Sequence, residues 1–165
     1  MLNVIIANIL NFIAGICSVL SVGGRTKKKI VRVEFLGSVI RIISNALVCN
    51  WSDSIGKVIK GFAQKMCLNN KLNKSNCLII SLIYLLLCLG VVYFSKDKRC
   101  LFAILPSILE FYALLVKSAR KYRLSIIVVK ILWTVNNIVF KLYVGIIFDI
   151  MIVFGHYLKV NKSKA

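Results

Sequence analysis

The chain lacks the residue patterns around which most enzymes are built. It has five acidic residues and one histidine among 165 residues. No Ser/His/Asp set, pair of carboxylates or glycine-rich phosphate loop occurs at a usable spacing. We therefore expect no catalytic residues and no enzymatic activity, and the sequence implies no cofactor.

Paired cysteines are missing as well. The six cysteines form no Cys-x-x-Cys pair and have no histidine nearby at ligand spacing. Most of them lie in or beside apolar segments, where cysteine behaves as a small hydrophobic residue. Neither a metal site nor a disulfide is therefore predicted.

Negative charge is scarce, and the formal net charge is +18. So basic a chain suggests nucleic-acid binding, but 59% of the residues are hydrophobic and the mean hydropathy is +0.86. Several apolar runs approach about 20 residues, which is long enough to cross a bilayer. In membrane proteins Lys and Arg concentrate in cytoplasmic loops. We therefore predict a multi-pass integral membrane protein whose partner is the lipid bilayer rather than nucleic acid.

Seven apolar segments follow one another along the chain. They run approximately over residues 2–22, 30–50, 54–68, 76–95, 100–116, 124–140 and 143–159. The first has no basic stretch before it, so we expect a retained span rather than a secretory signal. A short turn at 51–53 precedes the third segment, and the fourth is apolar all round, which predicts a lipid-facing helix.

The third and fifth segments are unusual. Lys57, Lys60 and Gln64 share one helical face of the third segment. This segment either lies on the membrane surface or crosses the membrane with that face turned inward. The fifth contains the only proline, Pro106, which predicts a kinked helix.

Basic residues are distributed unevenly between the loops. The loops after segments one, three, five and seven are basic, whereas those after segments two and six hold only Asp53 and Lys141. The positive-inside rule then predicts seven spans with the N-terminus outside and the C-terminus inside. Lys96, Lys98 and Arg99 fall on the opposite side in this arrangement.

A polar stripe of Lys130, Trp133, Asn137 and Lys141 lies on one helical face within residues 130–149. When the sequence is compared with itself at an offset of 92 residues, the polar positions of segments six and seven coincide with polar positions of segments two and three. The matched pairs are Ser38 with Lys130, Arg41 with Trp133, Asn45 with Asn137, Trp51 with Tyr143, Lys57 with Asp149, and Gln64 with His156.

These matches predict an all-α membrane protein with a 3+1+3 arrangement. Two parallel three-helix bundles, 1–68 and 97–160, are joined by a linker helix, 69–96, and followed by a cytoplasmic tail, 161–165. Repeats of this kind place their binding sites near the membrane midplane, between the two units.

A family resemblance depends on specific residues in the second half and on one basic loop in the first half. They are Leu105-Pro106-Ser107-Ile108, Ala113-Leu114, Arg123, Trp133-x-x-x-Asn137, Gly145 and Asp149, together with the basic loop 25–29. With these residues the chain resembles the YgjV-type bacterial inner-membrane protein family. The family's layout is similar to that of the SWEET sugar facilitators and the PnuC-type nicotinamide riboside transporters. The resemblance therefore implies a bacterial inner-membrane location and, by analogy of fold alone, transport.

The candidate ligand-binding residues come from both stripes. Arg41 and Asn45 lie in the first, and Trp133 and Asn137 lie in the second. The two amides could hydrogen-bond a polar solute while Trp133 stacks on a ring. Alternatively, the asparagines tie helices together and Trp133 fills space.

The acidic residues of the helices complete the candidate set. Glu110 and Asp149 are ligand-binding candidates, because a charge within the hydrocarbon region is often functional. Glu110 could instead form an ion pair with Lys130 or Arg41, and Glu34 could pair with Arg32 or Lys29. Asp149 and His156, seven residues apart on one face, could relay protons, or His156 could be an interfacial residue with no special role.

The leading hypothesis is a small-solute facilitator or transporter-like protein for a sugar- or nucleoside-like molecule. The solute would lie between Asn45 and Asn137. The alternative is a membrane scaffold or accessory subunit that does not transport and whose polar stripes only pack helices.

Overall fold

The computed structural model describes residues 2–47, 51–96, 98–139 and 143–162. These residues form seven α-helices and one 3₁₀ helix with short connections, so the all-α prediction is confirmed. In chain order they are α1 (Leu2–Val22), α2 (Lys27–Leu47), α3 (Trp51–Leu68), α4 (Lys74–Ser95), the 3₁₀ helix (Lys98–Ala103), α5 (Ile104–Ala113), α6 (Ala119–Val139) and α7 (Tyr143–Lys162).

Four helices in the described part of the chain are long and apolar enough to cross a membrane. Their apolar stretches are Ile5–Val22, Lys74–Phe94, Ala119–Val139 and Tyr143–Asn161. Helices α2 and α3 fall short because charged residues interrupt them, and α5 falls short because it has only 10 residues. An integral membrane protein follows from these four helices, while crossing by the other three stays a prediction.

Helix α3 is packed with its polar side inward. Lys57 and Lys60 are only 4% and 7% exposed, and Gln64 is fully buried. The apolar Val58 and Phe62 are instead 53% and 66% exposed. A helix lying on the membrane surface would keep its lysines in water. Of the two alternatives, this packing favours the polar face turned inward.

Helix α3 begins earlier than its apolar residues do. The turn expected at 51–53 is wrong, because Trp51 is the first residue of α3. Asp53 lies in the first turn, where a negative charge stabilises the helix dipole.

The fifth segment is two short helices rather than one kinked helix. The 3₁₀ helix ends at Ala103, and Pro106 falls in the first turn of α5. Proline is tolerated there because a first-turn N–H has no acceptor within the helix. The Tyr84 hydroxyl donates to the Ala103 carbonyl at 3.3 Å, which satisfies an acceptor at the junction.

Helix α4 exposes most of its apolar side chains, as a lipid-facing helix would, and buries one stripe of residues. Four residues spaced by four, three and four positions form the buried stripe: Cys77, Ser81, Tyr84 and Cys88. The Tyr84 ring packs edge-on against Phe111 of α5, with centroids 5.6 Å apart, and against Gly56 of α3. Tyr84 therefore joins α4 to both neighbouring helices.

The remaining helices pack in a continuous series. Helix α1 lies between α2 and α7, α2 also contacts α3, and α6 lies between α5 and α7. Gly15 permits the close approach of α1 to α7, since a Cβ there would lie 2.4 Å from the Phe148 ring. Small residues at such contacts are typical of helix packing in membranes. The bundle thereby encloses the inward-facing polar residues.

Candidate functional site

The interior of the bundle holds an unusual number of charged side chains. The buried ones are Glu34, Lys57, Lys60, Glu110, Arg123, Lys130 and Asp149. An unpaired charge in so apolar a surrounding costs several kcal/mol, so each needs a partner. The partners define the candidate site.

Lys60 and Glu110 form a buried ion pair between α3 and α5. The Lys60 ammonium lies 2.7 Å from Glu110 Oε1, and both side chains are almost fully enclosed. Lys57 and Lys130 add to the positive potential at this carboxylate. Glu110 is therefore paired with Lys60, and not with Lys130 or Arg41 as the sequence suggested, because the inward face of α3 meets α5.

Lys57 connects the two halves of the chain through an aromatic ring. Its ammonium lies 3.9 Å from the centroid of the Trp133 ring on α6, a cation–π contact. The same ammonium is 3.4 Å from Asp53, which accepts a hydrogen bond from Asn45 Nδ2 at 2.7 Å. Asn45 and Trp133 thus belong to one polar network that runs through Asp53 and Lys57.

The indole of Trp133 keeps a hydrogen-bond donor in the interior. Trp133 is 4% exposed, and its Nε1 is buried with no hydrogen-bond partner among the described residues. Buried tryptophan N–H groups usually have a partner. The unpaired donor lies beside the Lys57 ammonium, so this position can donate hydrogen bonds and also present an aromatic ring.

A second network joins α6 to α7. Asp149 accepts from Lys130 Nζ at 2.9 Å and from Asn137 Nδ2 at 2.8 Å. Gly145, one turn before Asp149, leaves room for the Asn137 amide. Asn137 therefore contacts both Gly145 and Asp149, which belong to the same family-like motif.

The six predicted ligand-binding residues fall into four groups. Asn45 and Trp133 share the first network, Asn137 and Asp149 share the second, and Glu110 is held by Lys60. Arg41 is half-buried and donates to Ser18 Oγ at 3.3 Å. Lys141, the last residue of the predicted stripe, lies outside the described residues.

Four contributors to these networks were not among the predicted ligand-binding residues, and Lys130 of α6 is one of them. Asp53, Lys57 and Lys60 carry the contacts of α3. Lys57 and Lys60 lie on the polar face of the third segment, a pattern that is equally consistent with a surface helix, and Asp53 falls in the predicted turn.

Two other acidic and basic groups have partners that the sequence did not indicate. Glu34 accepts from the Tyr122 hydroxyl at 2.9 Å rather than pairing with Arg32 or Lys29. Arg123 Nη1 lies 3.0 Å from His156 Nδ1, and His156 is fully buried within the protein. Because Arg123 donates to Nδ1, the imidazole is neutral with its proton on Nε2. His156 and Asp149 therefore have different partners, both from α6.

No group of three or more His, Cys, Asp or Glu side chains in the described ranges could hold a metal ion.

A family model described as bacterial inner membrane protein, Imp-YgjV, matches residues 5–163. No curated protein matches the chain, and no solved structure matches it. The likeness in layout to the SWEET and PnuC-type transporters has no structural comparison behind it and stays a prediction.

Proposed function

The chain belongs to the YgjV family of bacterial inner membrane proteins, and we propose that it binds a small polar solute inside the helix bundle and moves it across the membrane. The proposed solute class is sugar- or nucleoside-like, with a ring and several hydroxyl or amide groups. The site comprises the first network and the neighbouring Lys60–Glu110 pair.

The observation that carries this proposal is the environment of Trp133. Its ring and its unpaired N–H are enclosed in the protein, next to the ammonium of Lys57. A ring-containing solute would displace Lys57 from the ring, stack there and accept from Nε1. Polar groups this deep in a membrane protein are expensive and usually line a solute or ion path.

The proposed architecture is that of two parallel repeats. Helix α2 has the same bounds as α6 after a shift of 92 residues, and α3 and α7 begin 92 residues apart. When the two units are exchanged, the contact of α1 with α7 corresponds to that of α3 with α5, although the first is much more extensive. These coincidences support units 1–68 and 97–160 joined by α4, rocking about a site between them.

The proposed orientation places the N-terminus outside and the basic loops in the cytoplasm. Fusions of green fluorescent protein and alkaline phosphatase to the ends of α1 and α7 test it. Fluorescence without phosphatase activity is expected at both positions. The reverse pattern at either position would contradict the orientation.

Solute binding is tested with the whole protein in detergent and in proteoliposomes. A panel of sugars and nucleosides is screened for thermal stabilisation, and any hit is then measured for uptake. Trp133→Phe keeps an aromatic ring but removes the donor, so a hit should bind about tenfold more weakly. Tyr157→Phe, which changes an exposed aromatic residue, is the matched control and should bind normally.

A packing role is the second candidate, because Asn45 and Asn137 already have partners. Each donates to an aspartate of the following helix, Asp53 or Asp149. If these bonds only pack helices, Asn45→Leu and Asn137→Leu will lower stability and no solute will stabilise the wild type. A folded Asn→Leu variant that has lost uptake would support transport instead.

A further inference from the structure

A basic cleft of about 280 Å³ lies at one end of the bundle, away from the interior networks. It is lined by the turn residues 23–25, by Ala119, Arg120 and Arg123 at the start of α6, and by Lys159 near the end of α7. None of these seven residues is acidic. The basic cleft therefore gathers four cationic side chains from three parts of the chain.

Arg123 forms a rigid wall of the basic cleft. Its Nη1 donates to the Val22 carbonyl at 2.9 Å and to His156, and its Nη2 donates to the Gly24 carbonyl. These bonds use three of its five N–H groups, and the other two have no partner within the described residues. Arg123 is only 6% exposed, so a buried guanidinium held in place by three hydrogen bonds lines the cleft.

The other three cations lie at the rim. Arg25, Arg120 and Lys159 are exposed, and none forms an ion pair with an acidic side chain in the described ranges. Helix α6 begins at Ala119, so its N-terminus adds partial positive charge to the basic cleft. Cations held this close repel one another until an anion neutralises them.

We propose that the basic cleft binds a phosphate group, carried either by the headgroup of an anionic phospholipid or by a soluble phosphate. Phosphate offers several charged acceptor oxygens, which match the fork of arginine donors. The cleft is slightly smaller than the usual ligand pocket of about 300–1,000 Å³. A headgroup or a small ion therefore fits better than a large solute. This site is independent of the proposed solute site around Trp133.

The test removes the three rim charges from the full-length protein and leaves Arg123 intact. The variant is Arg25→Gln with Arg120→Gln and Lys159→Gln, all exposed positions that should fold normally. Native mass spectrometry measures binding of phosphatidylglycerol, and calorimetry measures binding of inorganic phosphate. Loss of three charged contacts should weaken binding of the true ligand by about tenfold or more.

A matched control removes three exposed lysines from the same end of the bundle. Lys65 lies near the end of α3, Lys71 lies in the turn between α3 and α4, and Lys74 is the first residue of α4. The Leu114 carbonyl, which accepts from both Lys27 and Cys67, places this turn at the end where α2 begins. The control variant, Lys65→Gln with Lys71→Gln and Lys74→Gln, should bind like the wild type.

The two binding measurements, with phosphatidylglycerol and with inorganic phosphate, identify the source of the phosphate group. Loss of phosphatidylglycerol binding in the rim variant alone assigns the cleft to a lipid headgroup, and loss of inorganic phosphate binding alone assigns it to a soluble anion. The proposal is overturned if the rim variant binds both like the wild type or if the wild type binds neither. An equal loss in the control variant also overturns it, since general basicity would then explain the binding.

Discussion

The Asn137 amide occupies the space that a side chain at position 145 would need. A Cβ at Gly145 would lie 2.8 Å from Asn137 Nδ2 and 3.1 Å from its Cγ. The amide is thereby held where it donates to Asp149, the residue one turn further along α7. Gly145 leaves space for the amide, Asn137 donates the hydrogen bond and Asp149 accepts it. This contact explains why these three residue types occur together in the motif.

Gly145→Ala is expected to destabilise the protein by about 1–3 kcal/mol, because the added methyl displaces Asn137 and breaks its hydrogen bond to Asp149. Gly90→Ala is the matched control, since Gly90 is also within a helix and a Cβ there meets nothing within 4 Å. That change should be neutral or stabilising by up to about 1 kcal/mol. Unfolding free energies in detergent measure both, and equal effects would argue against the close contact.

The Lys60–Glu110 pair predicts a strong coupling between two substitutions. Lys60→Met or Glu110→Gln alone leaves a buried charge without its partner, which should cost about 3–5 kcal/mol. The double variant should be clearly more stable than the sum of the two losses predicts, because neither charge remains. A double-mutant cycle of unfolding free energies measures this coupling. Additive losses would mean that the two groups do not interact.

The inward packing of α3 predicts which of its lysines react with water-soluble reagents. Lys65 is exposed, whereas Lys57 and Lys60 are buried on the same helix. A membrane-impermeant amine reagent applied to protein in nanodiscs should therefore modify Lys65 and leave the other two until detergent unfolds the chain. Peptide mass mapping reads out the sites. Similar reaction rates for all three would instead indicate a helix on the membrane surface.

Tyr122→Phe removes the hydroxyl that donates to Glu34 at 2.9 Å. The buried carboxylate then loses this hydrogen bond, so the expected loss of stability is about 1.5–3 kcal/mol. Tyr143→Phe changes an exposed tyrosine of α7 and should have almost no effect. Thermal unfolding of the two variants compares them directly, and a Tyr122→Phe variant as stable as the wild type would contradict this role for the hydroxyl.

Much of the helical layout was predictable because it depends on neighbouring residues. Apolar runs and the polar residues between them located seven helical segments, and a fully helical structure followed. Two predictions were wrong: the single kinked helix around Pro106 and the turn that included Trp51. Proline's effect depends on whether it falls in the first turn of a helix, and Trp51 starts a helix although apolar spacing begins later.

The candidate site was only partly predictable. The stripes placed Asn45, Trp133 and Asn137 on inward faces, but their partners could not be read from spacing. Lys57 was not proposed as a ligand residue, although it covers the Trp133 ring. Whether a lysine on a mixed face turns toward water or toward the interior depends on the neighbouring helices.

The sequence by itself determined the membrane class, the helices and the positions of the polar stripes, because hydrophobic length and helical period are local properties. Only the tertiary structure decided which partner each buried charged side chain has. Glu34 and Tyr122 are 88 residues apart, and Arg123 reaches a carbonyl 101 residues away. Such pairs depend on how the helices are rotated and packed against one another, and burial in an apolar interior then selects the arrangement that leaves the fewest charges alone.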